Sequence, residues 1–171
     1  MDEQIDAFID VISPRYDLYC AVYQSRKNHP NVYTDSLCNV ILTSIMGGHE
    51  RSWRVVGMTE NALRLYVQNN FEHSKVTGIR RAHTVPRIKT TQYVLSGERP
   101  LLLPELACLW FERDTTILCA KGENKAEITS PYFKVDNPRC ALFPGKYIGW
   151  RHSAVEKDFL KGLAKDHGLW S

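Results

Sequence analysis

Ile5, Phe8, Ile9 and Ile12 recur at three- and four-residue intervals, so the chain is predicted to open with an amphipathic helix over residues 2–12, closed by Pro14. Residues 16–23 carry β-favouring aromatics and read as a strand, and residues 25–30 as a polar turn. Residues 36–45 are apolar and fit either helix or strand until Gly47-Gly48 stops them. Trp53, Val55 and Val56 predict a strand over residues 51–58. Thr59 then caps a helix over residues 60–70, with Leu63, Tyr66 and Val67 on one face.

The second half alternates in the same way. Residues 78–83 are short, basic and extended. Helices are expected over residues 89–95, ended by Gly97, and from Pro104 to about residue 113, with Leu106, Leu109 and Trp110 as the apolar face. Residues 115–120 give the clearest strand, bounded by Asp114 and Gly122, and a helical turn is expected over residues 123–128. Residues 131–144 hold three prolines and read as irregular; residues 147–150 read as a last strand. The final helix has the best local signature: Ser153 and Glu156 form a capping box, Val155, Phe159, Leu160 and Leu163 the stripe, and Gly168 the stop. The pattern predicts a small mixed α+β fold. With 171 residues, 43% of them hydrophobic, and no linker or repeat, it predicts a single domain over residues 1–171.

Composition narrows the class. Mean hydropathy is −0.34, and no apolar run approaches the ~20 residues that span a bilayer. The opening Met1-Asp2-Glu3-Gln4 lacks the basic-then-apolar order of an export signal, so a cytoplasmic protein is expected, with no membrane partner. Cys20, Cys38, Cys108, Cys119 and Cys140 are odd in number and form no C-x-x-C pair, which fits buried free thiols rather than a zinc site. There is no phosphate-binding glycine loop and no nucleophile elbow, so nucleotide kinases, dinucleotide enzymes and common hydrolases are excluded as expectations. Trp53, Trp110 and Trp150 are expected as core anchors. His49 and His73 stand in no motif.

Charge is mildly basic overall, at +3, but unevenly placed. Between Lys75 and Lys89 lie Arg80, Arg81 and Arg87, with no acidic residue. Such a strip can hold phosphates in a nearly neutral molecule. Within it, Arg81-Ala82-His83-Thr84-Val85-Pro86-Arg87 places a histidine at a strand end, and Thr115 to Lys125 supplies a second strand followed by the polar cluster Gly122-Glu123-Asn124. Phosphodiester hydrolysis needs a group that activates water, which histidine provides near neutral pH, and a hard cation, which oxygen donors hold.

These two segments resemble the ββα-metal, or HNH-like, nuclease superfamily, through Arg80-Arg81-Ala82-His83, the Val85-Pro86 pair after it, and Glu123-Asn124 after the second strand. The resemblance implies a ββα-metal-like core over residues 78–130, built as strand–His–insertion–strand–helix with flanking helices. It implies a metal-dependent endonuclease that hydrolyses DNA, with RNA as a second possible substrate and Mg2+ as the cofactor. His83 would be the general base and Arg81 would hold the scissile phosphate. Asn124 would ligate the metal, helped by Glu123 or Glu127, and Arg80, Arg87 and Lys89 would contact nucleic acid. The pattern departs from the family at Ala82, where many members carry a metal ligand, and in the spacing from His83 to Asn124, which requires an inserted helical piece. No second histidine follows Asn124 closely; the next is His152. A different class competes: a non-catalytic nucleic-acid-binding or protein-interaction module, in which Arg80, Arg81, Arg87 and Lys89 contact phosphates or an acidic partner while His83 and Asn124 are structural. A metal-independent base-excising enzyme ranks third.

Overall fold

A computed structural model of the chain describes residues 3–47, 53–72, 78–123, 131–137, 139–144 and 153–171. In chain order its regular elements are α1 (Glu3–Ile12), a 3-10 turn (Ser13–Arg15), α2 (Tyr16–Asn28), α3 (Asp35–Met46), β1 (Arg54–Thr59), α4 (Glu60–Gln68), β2 (Ile79–His83), α5 (Arg87–Ser96), α6 (Leu103–Arg113), β3 (Thr115–Ala120), β4 (Tyr132–Lys134) and α7 (Ala154–Asp166). The architecture is α+β, as the hydrophobic pattern implies. The strand read over residues 147–150 falls outside the described residues, as does all of the turn read over 123–128 except Glu123.

Two compact units share the chain. One comprises Met1–Ser52 with Val85–Thr115, the other Trp53–Thr84 with Thr116–Ser171. Each has its own core. The first is all helical: Phe8 and Ile12 of α1, Tyr19 and Tyr23 of α2, and Leu42 and Met46 of α3 meet Trp110 and Phe111 of α6. Here residues 16–23 are helical, not extended. Tyr16, Tyr19 and Tyr23 stand at i, i+3 and i+7, and one helix face carries all three to the end of α5 and the segment after it. Their hydroxyls donate to Leu101 O, Val94 O and Gly97 O at 2.9, 2.9 and 2.7 Å. β-propensity lost to the burial of a helical stripe. The ambiguous stretch after Thr34 is likewise helical, because the Thr34 hydroxyl accepts from Leu37 N and starts α3.

The second unit holds the sheet, in the order β2-β3-β1-β4, with α4 and α7. It is a mixed sheet in which β2 pairs antiparallel with β3, and β1 antiparallel with β4. Its core joins Val55 and Met58 of β1, Leu63 and Tyr66 of α4, Ile79 of β2, Leu118 of β3 and Leu160 of α7. β4 arises in the proline-rich stretch read as irregular. Its Tyr132 ring lies over Gly57, where a Cβ would come within 2.3 Å of the ring, so the glycine makes room for the aromatic. Both expected caps form. The Thr59 hydroxyl accepts from Ala62 N, and Ser153 and Glu156 complete the box at α7. Gly168, at φ +67°, follows α7 in the left-handed conformation that glycine tolerates.

Candidate functional site

The basic strip does not form one surface. Consecutive strand residues point to opposite faces, and in β2 Arg80 is exposed while Arg81 is buried. Arg81 donates from Nη1 to Trp53 O at 3.1 Å and from Nη2 to Phe143 O. Burial lowers its pKa to about 10, against the raising influence of Tyr66 and Glu156, so it remains a cation at neutral pH. Glu156, also buried, accepts from Phe143 N at 2.6 Å and Ser153 N at 3.0 Å. The two side chains grip Phe143, Glu156 through its N–H and Arg81 through its C=O. Arg81 is thus enclosed, with both terminal nitrogens donated to backbone carbonyls.

Arg87 belongs to the helical unit and is buried as well. Its Nε and Nη2 reach the Asp114 carboxylate at 2.9 and 2.7 Å. Gly47 gives the guanidinium room, because a Cβ there would stand 2.9 Å from Nη1. The residue expected to contact nucleic acid forms a buried ion pair with Asp114. Lys89, on α5 of the same unit, is exposed. Arg80 is exposed at the sheet edge, with Nη1 turned to Ile79 O at 2.9 Å.

His83 closes β2, partly buried, opposite Thr116. Its ring packs on Trp53, with centroids 4.3 Å apart and planes tilted by 58°. Glu123 follows the other end of the same ladder, where Ala120 pairs with Ile79. The four residue steps between those two pairs separate the ends by roughly 13 Å. The antiparallel register therefore does not bring His83 and Glu123 together. Asn124, Glu127 and His152 lie outside the described residues.

Glu123 has a different setting. Its carboxylate accepts from the Thr59 hydroxyl at 2.7 Å, Asn61 Nδ2 at 2.9 Å and Ala120 N at 2.7 Å. Burial pushes its pKa up, but the three donors outweigh burial and hold it below the ordinary value. These bonds tie the start of α4 to the end of β3. Among the described residues no group of three or more His, Cys, Asp or Glu side chains is placed to hold a metal.

Beside this tie lies an open groove of about 360 Å³. One wall is a stripe of α4, Asn61, Arg64, Leu65 and Gln68, at i, i+3, i+4 and i+7. Gly78, Ala120 and Lys121 complete it. Lys121 N donates to Gly78 O at 2.5 Å, which closes the end of the β2–β3 ladder against α4. Arg64 is exposed at the groove and is held by Glu60 one turn earlier, from Nε at 2.8 Å and Nη2 at 2.5 Å. Lys121 is exposed too. In the sequence these residues look like the solvated side of one helix and a lysine after a strand. Only the β2–β3 register brings them to one place.

No family model, no curated protein and no solved structure matches the chain.

Proposed function

We propose that the chain is a non-catalytic nucleic-acid-binding module that holds phosphate at the groove between α4 and the end of the β2–β3 ladder. The observation that carries this reading is the pairing of two exposed cations, Arg64 and Lys121, across a concave surface. Arg81 and Arg87, the central residues of the basic strip, are spent on internal partners. An exposed ion pair such as Glu60–Arg64 contributes little stability, so a phosphate oxygen can replace one carboxylate contact at small cost. Arg80 adds an exposed cation on the same sheet unit.

The rival is the metal-dependent endonuclease with a ββα-metal core. In that reading the two strands would be β2 and β3, with His83 at the end of the first. It also needs His83 and the residues after β3 to face one Mg2+ ion. Glu123, directly before Asn124, stands at the far end of the ladder, and its oxygens are taken by three protein donors. The described donors do not fit a magnesium centre.

One experiment separates the two. The purified protein is titrated against fluorescent DNA at low salt, with and without Mg2+, and the DNA is then run on a denaturing gel. Binding without cleavage, weakened about tenfold or more by Arg64→Ala with Lys121→Ala, supports the module. Mg2+-dependent cutting that His83→Ala abolishes overturns it in favour of the nuclease.

A further inference from the structure

Resting on the nucleic-acid reading above, we infer that the groove takes one unstacked nucleotide of a single strand and prefers an amino-bearing base to thymine. The first ground is shape. The groove is open, and α4 forms one of its walls. A duplex is a convex rod that is read by helices or strands entering its grooves. A concave site of about 360 Å³ is matched instead by a splayed-out nucleotide.

The second ground is the arrangement of chemistry. Leu65, Gly78 and Ala120 offer apolar surface suited to the flat face of a base, and Arg64 and Lys121 supply charge for its phosphate. Asn61 adds selectivity. Its Nδ2 donates to Glu123 Oε1 at 2.9 Å, and Glu123 is itself held by Thr59 and Ala120 N. This bond occupies Nδ2, so Oδ1 is the acceptor of an amide that lines the groove. An acceptor takes the exocyclic amine of cytosine or adenine, and at that same position thymine presents its O4 carbonyl, which repels it. Gln68, exposed two turns along the same stripe, supplies a second amide.

The test uses the full chain and three probes of equal length, oligo-dC, oligo-dT and a mixed-sequence duplex, with free dCMP as competitor. The expected result is that oligo-dC binds about tenfold tighter than oligo-dT, the duplex binds more weakly than oligo-dC, and dCMP alone competes poorly. Asn61→Ala should erase the preference for dC. Lys121→Ala should weaken both strands equally and reduce the salt dependence, leaving the preference intact. Equal affinity for dC and dT, or a duplex bound as tightly as oligo-dC, overturns the base-reading groove even where Arg64→Ala still weakens binding and the broader reading stands. Competition by dCMP at the strand's own affinity overturns the strand assignment in favour of a free nucleotide. No binding to any probe overturns both readings together.

Discussion

At the scale of single residues, burial decides what a cation is for. Arg80 and Arg81 are adjacent and chemically alike, yet one is exposed and the other is enclosed with Glu156 and Tyr66. Arg87 is enclosed with Asp114. Removing one member of such a pair strands the other without its partner, so Arg87→Ala should destabilise the protein by about 3–5 kcal/mol in urea titrations. Replacing both partners with apolar residues, Arg87→Met with Asp114→Leu, should recover most of that loss. Glu123 makes a second residue-scale prediction. Its folded pKa lies below the ordinary 4.5, so its contribution is present above that value and is lost as pH falls through the folded pKa. Glu123→Gln keeps an acceptor oxygen but cannot titrate. The stability advantage of wild type over this variant should therefore shrink as pH drops below about 4.5 in thermal melts, and an advantage constant with pH would contradict the assignment. The basic strip was legible as composition. Its division into one exposed and two buried arginines was not, because it depends on the phase of β2 and on what packs over each face.

At the scale of elements, local signals carried far. α1, α6, β1, β3 and α7 all stand where periodicity and turn chemistry put them, and the caps at Thr59 and Ser153 form as their residue types require. Ser153→Ala should cost α7 about 1 kcal/mol, read as a lowered urea midpoint with an unchanged m-value. α2 shows where local reading stops. Tyr16, Tyr19 and Tyr23 favour strands by propensity, but hydroxyl bonds to residues some 75 to 85 positions away select the helix. Those acceptors come from the end of α5 and the α5–α6 connection, and nothing near α2 in the sequence announces them.

At the scale of the whole molecule, the chain builds two cores rather than one. It passes from the helical unit to the sheet unit at Trp53, returns at Val85, and crosses again at Thr116. The helical insertion between His83 and the second strand, expected as an addition to a nuclease core, is α5 and α6, which complete the helical unit with α1, α2 and α3. A chain divided in this way has no proline- or glycine-rich linker to mark the boundaries of its units, so they are not legible in the composition. The candidate site was hidden for a related reason. Asn61, Arg64 and Gln68 are some 55 residues from Lys121 in sequence, and only the pairing of Ile79 with Ala120 places the lysine at the groove.

The central claim is that Arg64 and Lys121 hold phosphate. Its most direct measurement is the salt dependence of single-strand binding for wild type and for Arg64→Ala with Lys121→Ala. Each phosphate contact on a single strand contributes about 0.7 to the slope of log affinity against log salt. Both cations serve the one phosphate, so the claim predicts a slope about 0.7 shallower in the double variant, together with weaker binding at low salt. An unchanged slope and affinity, or no binding by the wild-type chain at low salt, would contradict it.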